Sequence, residues 1–242
     1  PYARRQPGER PRTDRKRVTK EGDDIVPTMG FDYNFIGDGS EAVGEENFDR
    51  VTDVVSLVLK DFKTGALWAH TAECKGPRDE WLMKRVVSDI ESVGHAHIRL
   101  KADGEPATKA VQATVIGMRP PPRRTIPVNS PARDPMANGS IESGVKEVNM
   151  QLRKIKLGFE ARIKKMLPAK HAAAEWMLEH AAFVLTRVPV HADGKTWYER
   201  HTGRRWHGKL LEFGQQVVAK LTKPRSRSCM PTKTQTKWIR AT

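Results

Sequence analysis

Residues 51–73, VTDVVSLVLKDFKTGALWAHTAE, decide the fold. The run VTDVVSLVLKD at 51–61 is apolar and β-branched, which predicts a strand. FKTG follows as a turn, with Gly65 placed where a positive φ is needed. ALWAHTAE at 66–73 alternates and returns as the next strand. Upstream, IVPTMGFDYNFI at 25–36 reads as a strand, separated from the hairpin by the polar, acidic stretch 37–49. Three strands joined by turns form an antiparallel unit.

Downstream the period changes. Residues 77–93 place Trp81, Leu82, Val86, Val87 and Ile90 at helical spacing, with Pro77 near the start and Gly94 just past the end. HIRLKAD at 97–103 is a short strand. EPATKAVQATVIGM at 105–118 is a helix that RPPPRR stops. TIPVNS at 125–130 supplies a fifth strand. A long helix follows, with Ile141, Val145, Val148, Leu152, Ile155, Phe159 and Ile163 along one face until Pro168. Residues 169–187 form another, with Trp176, Met177, Ala181, Val184 and Leu185 inward. LLEFGQQVVAKL at 210–221 reads as one or two strands. An antiparallel unit followed by α/β crossovers predicts a mixed sheet of about five strands with helices on both faces, the ribonuclease H-like plan, plus a small β-rich segment near the carboxyl end.

The chain has 242 residues and a formal net charge of +14. Residues 1–20 carry eight basic and two acidic residues, and residues 220–242 carry seven basic and none acidic. Such arms suit a polyanion, most often nucleic acid, or serve as solvated tails. No run of about 18 apolar residues exists, which excludes a membrane-spanning helix. Two cysteines, Cys74 and Cys229, exclude a disulfide framework and a four-cysteine zinc site. The start at Pro1 is expected of a piece cut from a longer protein. Four segments follow: a basic arm at 1–24, a core at 25–190, the end of the core with the start of a β-rich region at 191–222, and a basic tail at 223–242.

Three acids stand out. Asp32 lies inside the first strand between Phe31 and Phe35, where an unmatched carboxylate is costly. Asp103 closes the fourth strand, where open α/β sheets place ligands, although an aspartate there also caps helices. Glu142 lies in the first turn of the long helix, off its apolar stripe, where it also complements the helix dipole. If strands one and four are neighbours, the three cluster. Hard oxygen ligands of this kind suit Mg²⁺ or Mn²⁺, and two ions can serve phosphodiester chemistry. Glu105 and Glu147 compete with Asp103 and Glu142, and Asp38, Glu41, Glu45 and Glu46 form an acidic loop. Lys146, Asn149 and Arg153 share Glu142's helix face and suit phosphate and base-edge contacts to DNA, or a solvated face. Arg123 and Arg124 suit a nucleic-acid backbone. His70, His95, His97, His171 and His180 read as ordinary surface or core histidines, and Trp68, Trp81 and Trp176 as packing residues.

The order FDYNFIG, LKADGEPATKAV, NGSIESGVKEVNMQLRKIK resembles the catalytic core of retroviral and retrotransposon integrases. Asn138, Gly139 and Glu142 match that family's N-G-x-x-E pattern. DGKTWYERHTGRR is similar to the T-x-Y-E segment that closes many retrotransposon cores, and HGKLLEFGQQVVAKL to the start of the small β-rich region after it. The likeness covers roughly residues 25–220. It departs in the 38 residues between Asp103 and Glu142, slightly more than in typical retroviral members, and in the long Asp32–Asp103 interval. The His-His-Cys-Cys set of the family's amino-terminal zinc module has no counterpart. The resemblance implies an integrase core from a retroelement polyprotein, acting in the nucleus. It implies 3′-end processing and strand transfer on double-stranded DNA, a homo-oligomer, and Asp32, Asp103 and Glu142 as catalytic and metal-binding residues for two Mg²⁺ or Mn²⁺ ions. Two alternatives are another ribonuclease H-like nuclease or transposase, and a catalytically inactive DNA-binding remnant.

Overall fold

The computed structural model describes residues 26–37, 54–129, 138–168, 170–220 and 238–241. The acidic loop residues Asp38, Glu41, Glu45 and Glu46, the arm at 1–24 and most of the basic tail lie outside the described residues.

Five strands form one sheet: β1 (Thr28–Ile36), β2 (Val54–Asp61), β3 (Leu67–Ala72), β4 (His97–Ala102) and β5 (Arg124–Asn129), in the order β3-β2-β1-β4-β5. β1, β2 and β3 pair antiparallel, whereas β4 lies parallel to β1 and β5 parallel to β4. The mixed sheet expected from the sequence is therefore present, with β1 at its centre. The β2–β3 turn is held by Asp61, which accepts from the backbone N–H groups of Lys63 and Thr64 and from the Thr64 hydroxyl. Gly65 completes it at φ 87°.

Helices α1 (Glu80–Ser92) and α2 (Pro106–Met118) lie on one face, and α3 (Gly139–Ile163) and α4 (Ala173–Arg187) on the other. Asp79 caps α1 by accepting from Leu82 N at 2.9 Å. One core joins Met29, Phe31, Leu57 and Leu59 to Leu82, Val86, Ile90, Val111 and Val115. The second joins Val58, Leu67 and Ala69 to Ile141, Val148, Leu152, Met177 and Leu178. Alternation along β1 thus sends Phe31 and Tyr33 toward α1 and α2, and the intervening Asp32 toward α3.

Two tryptophans depart from the expected stripes. Trp81 is 57% exposed and Trp176 is 71% exposed. Met83 and Leu178 fill the inward positions on their helices instead. In both helices the apolar pattern leaves room for a stripe turned by one residue, and packing against the sheet selects it.

The edges of the sheet differ. On β3, the Thr186 hydroxyl of α4 donates to Leu67 O and accepts from Leu67 N, both at 3.1 Å. On β5, Pro127 stands opposite Leu100, a position that an edge strand tolerates.

A further helix, α5 (Trp197–Thr202), was not apparent in the Gly-punctuated sequence. Thr196 and Glu199 form a reciprocal capping box at its start, and Gly203 ends it at φ 71°. Trp197 packs against Gly65, where an added Cβ would lie 2.5 Å from its Nε1. In the 210–221 stretch only β6 (Val217–Lys220) is a strand among the described residues, and it pairs antiparallel with β7 (Trp238–Ala241). The basic tail, read from its charge as a nucleic-acid-binding arm or a solvated segment, includes an extended strand at WIRA, where Trp and Ile carry β propensity that net charge conceals.

Candidate active site

β1 and β4 pair in parallel with Gly30 opposite Lys101. Two residues further on, the same register sets Asp32 level with Asp103, the residue that leaves β4 for α2. Adjacent strands lie about 4.8 Å apart. The two carboxylates are therefore neighbours, close enough for the charge of Asp103 to act on Asp32, because one strand ends where the other still runs.

Each is held by local structure. Asp32 Oδ1 accepts from the backbone N–H of Tyr33 at 2.8 Å. Asp103 Oδ1 accepts from Glu105 N at 3.1 Å and from the Thr108 hydroxyl. Asp103 does brace the start of α2, as its position allowed, and both bonds fall on Oδ1; among the described residues no hydrogen bond reaches Oδ2. Burial raises the Asp32 carboxyl from 3.8 to about 6. The charge of Asp103 adds to the rise, and that of Glu142 contributes a smaller push. The Tyr33 N–H and the Lys75 ammonium oppose it.

Glu142 projects from the first turn of α3 into solvent. Its charge reaches Asp32, but among the described residues no group of three His, Cys, Asp or Glu side chains comes close enough to hold one metal ion. The structure brings Asp32 and Asp103 together and sets Glu142 on the helix that faces them. The donor chemistry fits a hard divalent cation: oxygen ligands, mutual repulsion, and a half-buried carboxylate whose ionisation is suppressed.

The competing acids have other partners. Glu105 takes Lys75 on both carboxylate oxygens, at 2.9 and 3.0 Å. Glu147 takes the Ser143 hydroxyl at 3.0 Å and lies 3.8 Å from the Lys60 ammonium. Lysines thus neutralise the two glutamates nearest in sequence to Asp103 and Glu142.

The DNA-binding candidates divide by position. Lys146 and Arg153 are exposed on α3. Asn149 forms a reciprocal amide pair with Asn34 of β1, donating at 3.0 Å and accepting at 2.7 Å. Arg123 and Arg124 stand at the start of β5, the end of the sheet opposite Asp103, and Arg123 is paired with Glu91 at 2.7 Å. They are not neighbours of the carboxylates.

Sequence reasoning passed over Asn34, because an asparagine inside a strand carries no motif. It also read His70 as ordinary. His70 is buried, with Nε2 2.6 Å from Asp89 and Nδ1 3.0 Å from Glu179. Burial works against its protonation, but the two carboxylates prevail and raise its pKa. Its partners lie on α1 and α4, too far along the chain for any local pattern to link them to β3.

No protein-family model matches the sequence, and no curated protein sequence matches it. Solved structures do. The HTLV-2 integrase catalytic core domain in complex with magnesium, in its trimeric form, is 14% identical over 73% of this chain and 98% of that chain, at a TM-score of 0.48. The catalytic core domain of BIV integrase is 12% identical over 73% of this chain and 93% of that one, at a TM-score of 0.45. The simian T-cell lymphotropic virus intasome in complex with PP2A regulatory subunit B56 gamma is 15% identical over 90% of this chain and 69% of that chain, at a TM-score of 0.52. This last likeness agrees with the strand order β3-β2-β1-β4-β5 and the helices on both faces. The chain has the ribonuclease H-like fold found in retroviral integrase cores.

Proposed function

We propose that this chain is a divalent-metal-dependent polynucleotidyl transferase of the integrase type, acting on the ends of retroelement DNA and on target DNA. One observation carries the reading. Asp32, on the central strand, lies level with Asp103, and its carboxyl is pushed up to about 6 by burial and by neighbouring carboxylates. A protein without use for a cation there has little reason to keep that repulsion.

In this reading Asp32, Asp103 and Glu142 hold Mg²⁺ or Mn²⁺, two ions in all. When bound, such ions activate an attacking oxygen and stabilise the leaving oxygen of a phosphodiester. The chain's own residues do the rest. Thr108 and the Glu105 N–H hold Asp103 through Oδ1, and Oδ2 would be the oxygen that takes the metal. Lys146 and Arg153, exposed on Glu142's helix, contact DNA phosphates. The protein forms no covalent intermediate in this scheme: water cleaves a phosphodiester near the 3′ end, releasing the terminal nucleotides and a free 3′-hydroxyl, and that hydroxyl attacks a target phosphodiester, displacing the target strand's own 3′-hydroxyl. Double-stranded DNA is the partner, the working unit is a homo-oligomer, the origin is a retroelement polyprotein, and the place of action is the nucleus.

The test is a joining assay with labelled duplex ends in Mg²⁺ or Mn²⁺. Metal-dependent trimming and strand transfer, both lost in Asp32→Asn, support the proposal. Cleavage without transfer would make the protein another ribonuclease H-like nuclease. DNA binding with neither reaction would make it an inactive remnant. Either result overturns the proposal.

A further inference from the structure

Glu142 is set on α3 and Asp32 on β1, so their separation depends on how the helix is seated. Beyond the apolar packing of Ile141, Val148 and Leu152, three contacts fix its register. Gly144 is so close to the sheet that a Cβ there would lie 3.0 Å from Leu67 Cδ2 and 3.0 Å from Lys60 Cδ. Glu147 faces Lys60. Asn149 and Asn34 exchange both amide hydrogen bonds, at 2.7 and 3.0 Å. The first two contacts are to β2 and β3. Of the three, only the amide pair reaches β1, the strand that carries Asp32.

The geometry of that pair is specific. Asn34 is two residues from Asp32, on the same face of β1 and about 7 Å away along the strand. Asn149 is seven residues from Glu142, on the same face of α3 and about 10 Å along the axis. A pin between Asn34 and Asn149 therefore sets both the rotation of α3 and its height above β1. Asn34 is itself fixed: it is buried, and its carbonyl accepts from the Ser56 hydroxyl at 3.1 Å. A reciprocal amide pair also forms in one relative orientation, because each side chain needs its donor opposite the other's acceptor.

We infer that Asn34 is a positioning residue, which acts through Asn149 to hold the first turns of α3 so that Glu142 addresses the Asp32–Asp103 pair. This rests on the function proposed above. It gives Asn149 a role within the protein in place of a contact to a base edge.

The experiment compares Asn34→Ala, Asn149→Ala and the double variant with the full wild-type chain. Joining rate, KM for duplex ends and Mn²⁺ affinity by calorimetry are measured, together with the backbone amide shifts of Gly139–Ser143 by NMR. Each single variant should lower the joining rate and weaken Mn²⁺ binding about tenfold, with KM for DNA unchanged. The double variant should match the singles rather than multiply them to about a hundredfold, because both remove one interaction. The amide shifts of Gly139–Ser143 should move to a common position in all three. Multiplying effects would overturn the inference. So would a raised KM in Asn149→Ala alone, which would return that residue to DNA. Wild-type protein without Mn²⁺ binding or joining would sink the proposed function, whereas the amide shifts still decide whether the pin holds the helix. Unchanged shifts refute it.

Discussion

Asp32→Asn should make the metal-free protein more stable while abolishing its chemistry. The carboxyl of Asp32 rises from 3.8 to about 6 on folding, mainly through burial and then through the charge of Asp103. A raised carboxyl pKa means that the folded state binds the proton more tightly than the unfolded chain does. Below pH 3.8 both states are protonated and the group makes no demand. As pH climbs to 6 the folded state must give up its proton against burial and repulsion, and stability falls. Above 6 the loss is complete, about 3 kcal/mol at 1.36 kcal/mol per tenfold change in proton affinity. Asparagine keeps the shape and can still accept from the Tyr33 N–H, but it carries no charge. Thermal unfolding in EDTA at pH 8 should therefore show the variant melting roughly 6–12 °C higher, for a chain of this size. The gap should close as pH drops through 6 toward 4. Millimolar Mn²⁺ should raise the wild-type midpoint and not that of the variant. A variant that is less stable than wild type at pH 8, or a gap independent of pH, would refute the reasoning and make Asp32 a structural residue.

Lys146→Ala and Arg153→Ala should each reduce the log–log salt slope of duplex binding by about 0.9 if they touch phosphates, as measured by fluorescence anisotropy across a salt series. His70→Gln should cost about 3 kcal/mol at pH 6 by leaving the Asp89 carboxylate without its cation and Glu179 with Arg85 alone. Because the His70 pKa is raised, that contribution is full below pH 6.5 and fades as pH rises through the folded value, so wild type and variant should converge in urea titrations at alkaline pH. Gly65→Ala should lower stability by about 2–3 kcal/mol, since its positive φ and the Trp197 ring both oppose a methyl group, and Trp197 fluorescence should report the shift.

The fold was largely legible because its signals are local. Alternation around Gly65 and the helical period after Pro77 need only a dozen residues to be seen. Asp32 was legible for a related reason: a carboxylate amid Phe31, Tyr33 and Phe35 breaks a pattern that its neighbours keep. The missed features depend on distance or on brevity. The Asn34–Asn149 pair spans 115 positions and the His70–Glu179 contact 109. α5 is six residues long, too short for a period, and only the Thr196–Glu199 spacing announced it. Trp81 and Trp176 misled because aromatic bulk reads as core, whereas inward direction is set by neighbours that a one-dimensional pattern leaves out.

The two margins of the sheet bear on how copies of the chain behave at high concentration. A bare strand margin is a template for another chain's backbone, and so a route to aggregation. On β3 the Thr186 hydroxyl already serves both the donor and the acceptor of Leu67, so an incoming strand would have to displace α4 to pair there. On β5 the proline at position 127 takes one donor out of the strand. An assembly of this protein is thereby directed away from strand addition at these positions and toward helices and side chains. Thr186→Val keeps the bulk of the side chain but strips its hydrogen bonding, and it would reopen the β3 margin to self-templating.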